Sequence, residues 1–143
     1  MMTLTIAFFF KEALEELALS ANLTAVHDGE QLMQLLINET NELPDVLFLD
    51  LNMPRKNGFE CLTEIKLNEK LKQLPVIIFS TSFEQEVVNQ LYKSGAQHFI
   101  RKPSEFSQFK KIIQQSLALT AEGVIEQPTQ ENFVLTIQNS LIT

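Results

Sequence analysis

Short, almost wholly apolar runs alternate along the chain with longer segments in which apolar residues recur at helical spacing. The short runs predict five β-strands, at residues 3–7, 23–27, 45–50, 76–79 and 97–101. The longer segments predict four helices, at residues 31–40, 58–68, 84–94 and 105–119. A stripe of apolar residues at positions 9, 10, 13, 14 and 17 predicts a further helix that starts near Phe8. Residues 45–50 and 76–79 are apolar at nearly every position, which is typical of parallel strands that are buried on both faces.

Glycine and proline fall between these elements. The chain has only four Gly and five Pro, and most of them mark predicted boundaries: Gly29, Pro44, Pro54, Gly58, Pro75, Gly95 and Pro103. Strands that alternate with helices indicate βαβ units, and therefore a parallel sheet covered by helices. In such a sheet the chemistry lies at the carboxyl ends of the strands.

Polar side chains stand at the carboxyl ends of four predicted strands: Asp28, Asp50, Ser80 and Lys102. Taken singly, each has an ordinary explanation, because a strand-end Asp or Ser commonly caps the next helix and a Lys is commonly solvated. However, Asp50, Ser80 and Lys102 end three successive strands. A carboxylate, a hydroxyl and an ammonium group are therefore expected side by side, and this conjunction indicates a functional site.

Composition narrows the class of protein. The 143 residues carry 11 Lys and Arg against 18 Asp and Glu, a formal net charge of −7, which argues against a domain that grips nucleic acid by bulk charge. The single cysteine, Cys61, excludes a disulfide framework, and His27 and His98 are too isolated in sequence to suggest a metal site. No apolar run approaches the roughly 18 residues of a membrane span, and residues 1–10 lack the features of a signal peptide. We therefore expect a cytoplasmic protein of about one domain.

The residues around the predicted site carry a family resemblance. The segment from Asp50 to Gly58 reads Asp-Leu-Asn-Met-Pro-Arg-Lys-Asn-Gly, Ser80 lies 30 residues after Asp50, and Lys102-Pro103 begins 22 residues after Ser80. Together with the dipeptides Asp28-Gly29 and Gly95-Ala96, this pattern resembles the receiver domain of bacterial two-component response regulators over about residues 23–119.

The resemblance implies a doubly wound α/β fold, a CheY-like, flavodoxin-like (βα)5 domain. Its three layers enclose a parallel sheet in the order 2-1-3-4-5. The receiver domain is expected at residues 1–119. Residues 120–143 then form a C-terminal tail that is too short for an output domain.

The resemblance also implies roles for the strand-end residues. Asp50 is the phosphoacceptor, which attacks a phosphohistidine to give an aspartyl phosphate. Lys102 pairs with the phosphoryl oxygens, and the Ser80 hydroxyl bonds the phosphoryl group and moves toward it. Phe99 takes the place of the family's switch aromatic, although its position in a short strand fits an ordinary core residue equally well. The triplet at residues 80–82 leaves open which hydroxyl faces the site, and the spacing favours Ser80.

Neighbouring loop residues complete the implied site. Met53 and Pro54 shape the loop behind Asp50, and Thr81 and Pro103 lie beside the phosphoryl position. The Asp50 carboxylate and the backbone carbonyl of Asn52 are implied ligands of Mg²⁺.

The sequence departs from the family in one place. The family carries a pair of acidic residues after the first strand, which hold Mg²⁺ with the phosphoacceptor, whereas this chain has no Asp before Asp28. Either the acidic loop is truly deleted and Mg²⁺ binding is weak or lost, or a loop is missing from the sequence between Ala7 and Phe8, an interpretation that a long Cα–Cα separation there would prove. Glu12, Glu15 and Glu16 could substitute as ligands, but a solvated helix face explains them better.

Apolar and polar residues alternate partly over residues 133–137, so the tail could form an edge strand, dock in a groove or mediate a homodimer.

The expected function is a stand-alone response regulator that receives a phosphoryl group from a sensor histidine kinase or a histidine phosphotransfer protein and signals to a protein target. It would be no enzyme beyond self-phosphorylation and self-dephosphorylation. One alternative is a degenerate receiver that binds proteins independently of phosphorylation. A more distant alternative is a hydrolase or a nucleotide-binding enzyme, but this chain lacks the glycine-containing motifs of both classes.

Overall fold

The structure is a computed structural model that describes residues 3–7, 22–38, 40, 42–53, 55–103, 105–121 and 127–136. The strands are β1 (Thr3–Ala7), β2 (Asn22–Val26), β3 (Val46–Asp50), β4 (Val76–Ser80), β5 (His98–Arg101) and β6 (Val134–Leu135). The helices are α1 (Gly29–Ile37), α2 (Gly58–Leu67), α3 (Gln85–Lys93), α4 (Phe106–Ala121) and the short α5 (Gln130–Phe133). No helix among these residues is long and apolar enough to cross a membrane.

The strands form one parallel sheet in the order β2-β1-β3-β4-β5-β6. This confirms the predicted order 2-1-3-4-5 and adds a sixth strand at the β5 edge. Asp50 pairs in register with Phe79, and Ser80 pairs with Arg101. The ends of β3, β4 and β5 therefore meet at one edge of the sheet, as the sequence pattern predicts.

Each face of the sheet carries its own apolar cluster, so the three-layer architecture is confirmed. One cluster joins the sheet to α1, α2 and α3, and includes Leu49, Leu62 and Phe99. The other joins it to α4, and includes Phe48 and Phe109. Every residue of β3 and β4 is buried, which explains why their sequences are almost continuously apolar.

Helix α1 begins earlier than the periodicity predicts, at Gly29 instead of residue 31. The cause is Asp28, whose side chain accepts a hydrogen bond from the Gln31 N–H at 2.8 Å and so caps the helix. Of the four strand-end residues, Asp28 therefore has the capping role. Helix α2 begins with a capping box, in which Asn57 and Glu60 each accept from the other's backbone N–H.

The C-terminal residues return to the sheet. We call residues 127–136 the C-terminal strap. Its Phe133 is 1% exposed, and Val134 pairs with Phe99 of β5. The Tyr92 hydroxyl donates to the Pro128 carbonyl at 2.8 Å, and the Gln127 side chain donates to the carbonyls of Tyr92 and Ala96. Of the alternatives for the tail, the edge strand is the one that the structure shows, and residue 137 lies outside the described part.

His98 lies under the C-terminal strap and makes the stability of the fold depend on pH. It is 6% exposed, and its Nδ1 lies 3.1 Å from the Phe133 carbonyl oxygen. Burial lowers the pKa of His98 below its ordinary 6.5, against the opposing effect of hydrogen bonds to the Phe133 and Asn132 backbone. The unfolded chain therefore binds the proton more readily than the folded chain, and the folded state loses stability as the pH falls below about 6.5.

We expect the free energy of unfolding, measured with urea, to fall between pH 7 and pH 5 by up to about 1.4 kcal/mol per pH unit from this group. In His98→Gln this part of the pH dependence should disappear. The matched control is His27→Gln, at an exposed histidine, which should keep the wild-type slope. An unchanged slope in His98→Gln would contradict the assignment.

Candidate functional site

Asp50 ends β3 at the carboxyl edge of the sheet, and only 3% of its surface is exposed. Its Oδ2 accepts a hydrogen bond from Lys102 Nζ at 2.8 Å, and its Oδ1 accepts from the Asn52 N–H at 2.9 Å. Each oxygen of this buried carboxylate therefore has a hydrogen-bond donor. The carboxylate is thus presented in a fixed orientation.

Lys102 comes directly after β5, and its side chain is 9% exposed. Its backbone N–H donates to the Ser80 carbonyl at 2.8 Å, so the end of β4 sets its position. Its ammonium group lies 4.7 Å from the centroid of the Phe79 ring, a favourable cation–π distance. Asp50 and Lys102 therefore form a buried ion pair whose two members come from non-adjacent strands of one sheet.

Ser80 is the hydroxyl that the structure places inside. It is fully buried, whereas Thr81 and Ser82 are exposed, which decides the question that the triplet leaves open. Its Oγ lies 3.3 Å from Asn52 Nδ2, and also 3.3 Å from the backbone N and the Oγ of Ser82. These bonds are long, so the hydroxyl is held without being tightly fixed.

The sequence pattern does not predict that the side chains of Asn52 and Ser82 contact the buried hydroxyl. From the sequence, Asn52 is assigned a role only through its backbone carbonyl, and Ser82 is considered only as an alternative to Ser80 for the hydroxyl that faces the site. Their positions, two residues after Asp50 and two residues after Ser80, put both side chains in loops at the same edge. That symmetry is the signal from which the contact could be inferred.

The loop between β3 and α2 is folded tightly against Asp50. The Gly58 N–H donates to the Leu51 carbonyl at 3.0 Å, and a Cβ on Gly58 would lie 2.6 Å from the Asp50 carbonyl oxygen. Only glycine fits this approach. Met53 is buried in the same loop, and Pro54 lies outside the described residues.

Two residues flank the site, of which only Pro103 is predicted to belong to it; Arg55 lies in the loop after β3. Pro103 is half-buried and follows Lys102 directly. Arg55 has a φ of 67°, and its guanidinium lies 3.8 Å from an Asp28 oxygen and 3.5 Å from a Glu30 oxygen. These ion pairs help hold a left-handed backbone conformation that a non-glycine residue seldom adopts.

Phe99 is buried in β5, and its ring packs edge-on to Phe83 at 5.9 Å between centroids. It borders a cavity of about 170 Å³, which we call the Phe99 cavity. The other residues that line this cavity are Leu51, Asn52, Ser82, Glu84, Val87 and Val88. Phe99 is thus a core residue that also faces open space beside the predicted site.

The fit to a divalent cation is incomplete. Asp50 and the Asn52 carbonyl are oxygen donors of the kind that Mg²⁺ prefers, but the described residues contain no group of three or more His, Cys, Asp or Glu that could hold a metal. Glu12, Glu15, Glu16 and the position of Phe8 lie outside the described part of the chain. The predicted helix there and the Cα–Cα separation that would reveal a missing loop stay untested.

Cys61 is a packing residue. Its thiol is buried on α2, 3.7 Å from the Gly29 carbonyl oxygen. Burial raises its pKa to about 11, so the reactive thiolate is scarce at neutral pH.

A doubly wound parallel sheet with a buried Asp–Lys pair at its carboxyl edge defines the class of receiver domains. The sequence profile of the response regulator receiver domain matches residues 4–114, and the chain belongs to this family. It is 31% identical over 108 residues to the response regulator Rcp1 of Synechocystis sp., covering 73% of this chain and 74% of Rcp1.

Solved structures agree with this assignment. The Mn²⁺-bound form of response regulator Rcp1 is similar with a TM-score of 0.78 and 25% identity, covering 90% of this chain and 100% of that one. The phosphorylated cyanobacterial phytochrome response regulator RcpA is similar with a TM-score of 0.77 and 28% identity, covering 86% and 96%. The chain is therefore a response regulator receiver domain of two-component systems.

Proposed function

We propose that this receiver domain accepts a phosphoryl group from a phosphohistidine on Asp50 and signals as a response regulator. The observation that supports it best is the buried 2.8 Å contact between Asp50 Oδ2 and Lys102 Nζ. A carboxylate that is oriented beside an ammonium group can attack phosphorus while the added negative charge is offset in place.

In the proposed transfer, an Asp50 carboxylate oxygen forms a bond to phosphorus as the bond from phosphorus to the imidazole nitrogen breaks. The imidazole leaves with the electron pair of that bond and is reprotonated. The Lys102 ammonium lies against the carboxylate and can move onto the phosphoryl oxygens without leaving the site. Ser80, on its long hydrogen bonds, can turn its hydroxyl toward a phosphoryl oxygen.

The consequence for signalling lies in the space around Phe99. A shift of Ser80 disturbs Asn52 and Ser82, which both line the Phe99 cavity. Phe99 has open space on the side that faces this cavity, so its ring can change position when Asn52 and Ser82 move. We infer a switch made of Ser80 and Phe99, biased by the charge of the aspartyl phosphate.

We propose no enzymatic activity beyond transfer of the phosphoryl group to and from Asp50. The proposed phosphodonor is a sensor histidine kinase or a histidine phosphotransfer protein, and the proposed receiver of the signal is another protein. We also propose a second copy of this chain as a partner for the output. No role in nucleic-acid binding is proposed, since the net charge is −7.

Mg²⁺ is the proposed cofactor, with the Asp50 carboxylate and the Asn52 carbonyl among its ligands. The cation would supply positive charge that offsets the charge on the phosphoryl group. Because no Asp precedes Asp28 in the sequence, we expect the metal to bind weakly. Mg²⁺ should shift the NMR signal of the Asn52 amide only at concentrations on the order of millimolar. Tight binding would show instead that other residues, such as Glu12, Glu15 or Glu16, complete the site, and Glu→Gln variants would identify them.

Incubation with acetyl phosphate and Mg²⁺ tests the proposed function. We expect intact-mass spectrometry to show the addition of one phosphoryl group to the wild type and none to Asp50→Asn. The matched control is Asp28→Asn, because asparagine also caps a helix well, and this variant should be labelled like the wild type. If wild type and Asp50→Asn are equally inert, the alternative of a phosphorylation-independent binding module is favoured.

A further inference from the structure

The C-terminal strap is held against the sheet largely through its backbone. Tyr92 donates to the Pro128 carbonyl, His98 contacts the Phe133 carbonyl, and Val134 and Leu135 pair with β5. Two apolar side chains of the strap are buried, Phe133 and Leu135, and Phe133 meets the Tyr92 ring edge-on at 5.1 Å. The strap is a short helix followed by a two-residue strand at the edge of the sheet, and a peripheral segment of this kind can open locally while the rest of the domain stays folded.

Phe99 lies between the C-terminal strap and the phosphoryl-acceptor site. Val134 lies next to Phe99 in register, and Phe99 and Phe133 belong to the same apolar cluster. On its other side Phe99 borders the cavity that Asn52 and Ser82 line, and both of these residues bond the Ser80 hydroxyl. Asn52 therefore links Asp50 to the Ser80 hydroxyl, and only the Phe99 cavity separates these residues from Phe99 and the strap.

The Phe99 ring has two places to pack. In the structure it lies beside the strap and leaves the cavity open. If Ser80 moves toward a phosphoryl group, its hydroxyl leaves Asn52 and Ser82, and the open space beside the ring grows. An unfilled space forfeits dispersion contacts, so the ring gains contacts by moving into it. That movement withdraws packing from Val134 and Phe133.

We propose that the C-terminal strap is released from β5 when Asp50 is phosphorylated, through movement of Phe99 toward its cavity. The strap is then an intramolecular output element, and its release uncovers the β5 edge and the Tyr92 face of α3. This inference rests on the proposed phosphoryl acceptance at Asp50. Coupling between two sites is reciprocal, so loosening the strap must also favour the phosphorylated state.

Hydrogen exchange of the full chain tests the release. Beryllofluoride with Mg²⁺ serves as the phosphoryl mimic, and mass spectrometry follows the amides of the strap. We expect exchange in the strap to become at least about fivefold faster in the presence of the mimic, and Asp50→Asn to abolish the effect.

The reciprocal measurement uses Tyr92→Phe, which removes only the hydroxyl that bonds Pro128, and Phe133→Ala, which removes the larger of the strap's two buried apolar side chains. Both should tighten beryllofluoride binding, measured by calorimetry, and Phe133→Ala by about fivefold or more. The matched control is Leu36→Ala, a buried residue of α1, which should leave the affinity within about twofold of wild type.

The outcomes separate the two proposals. If the mimic binds in an Asp50-dependent manner while strap exchange is unchanged or slower, the release is wrong and phosphoryl acceptance stands. An affinity that is unaltered by both strap variants leads to the same conclusion. Absence of any Asp50-dependent binding overturns both.

Discussion

Replacing Lys102 with alanine is expected to slow phosphorylation of Asp50 by acetyl phosphate by about two to three orders of magnitude. The ammonium group lies 2.8 Å from the attacking carboxylate in a site that is nearly closed to water. A positive charge that is already in place needs no reorganisation when negative charge develops on the transferred group, and water cannot replace it at equal strength. The rate is measured from the growth of the phosphorylated mass with time.

The same substitution should destabilise the protein by about 3–5 kcal/mol near neutral pH, because it leaves the buried Asp50 carboxylate without its cationic partner. Urea unfolding measures this loss. The double variant Asp50→Asn/Lys102→Met should recover most of it, since no unpaired charge then remains. That recovery separates the loss of an ion pair from a general packing defect.

Lys111→Ala is the matched control, because Lys111 is exposed on α4. It should keep the wild-type rate and lie within about 0.5 kcal/mol of wild-type stability. If Lys102→Ala is labelled at the wild-type rate, Lys102 has no part in stabilising the transferred group, and the proposed mechanism is wrong at that step.

The central strands could be predicted from sequence because burial on both faces leaves a strong signal, whereas their order in the sheet is implied by the family resemblance. Strands β3 and β4 are buried at every position, so their sequences exclude solvent-facing polar residues. Once the strands are known, the rule that parallel strands end at the same edge brings Asp50, Ser80 and Lys102 together. This part of the site follows from topology, and the observed contacts agree with it.

Side-chain contacts between loops leave no comparable signal. Asn52 and Ser82 lie in the loops after β3 and β4, and their approach to Ser80 depends on how those loops fold. Gly58 shows the same limit, because its closeness to the Asp50 carbonyl is visible only when both backbones are in place. Two sequence signals disagree about the start of helix α1. The spacing of apolar residues alone places the start later, whereas the Asp28 cap begins the helix at Gly29.

The C-terminal strap is difficult to predict for a related reason. Residues 133–137 alternate only partly, so the sequence allows both an edge strand and a docked segment. The strand Val134–Leu135 is two residues long, too short to give a period. What holds it in place is Phe133 and the bonds to Tyr92 and His98, which lie more than 30 residues away in sequence.

Replacing Phe133 with alanine is expected to lower the free energy of unfolding by about 3–5 kcal/mol. Its side chain is almost completely buried, within the same cluster as Phe99 and against the Tyr92 ring. The substitution removes the transfer free energy of the ring and leaves a cavity at the edge of the core. Equilibrium unfolding in urea gives the difference, and Leu119→Ala, at a more exposed residue of α4, is the control that should lie within about 0.5 kcal/mol of wild type.

The size of this loss also decides whether the C-terminal strap belongs to the cooperative unit. If the strap detached before the domain unfolded, removing the Phe133 ring could cost no more than the free energy of docking the strap alone. A loss of several kcal/mol in one cooperative transition therefore requires that the strap and the sheet unfold together in the unphosphorylated protein. A loss below about 1 kcal/mol would make the strap a loosely attached segment. In that case the energy that phosphorylation must supply to release it would be correspondingly small.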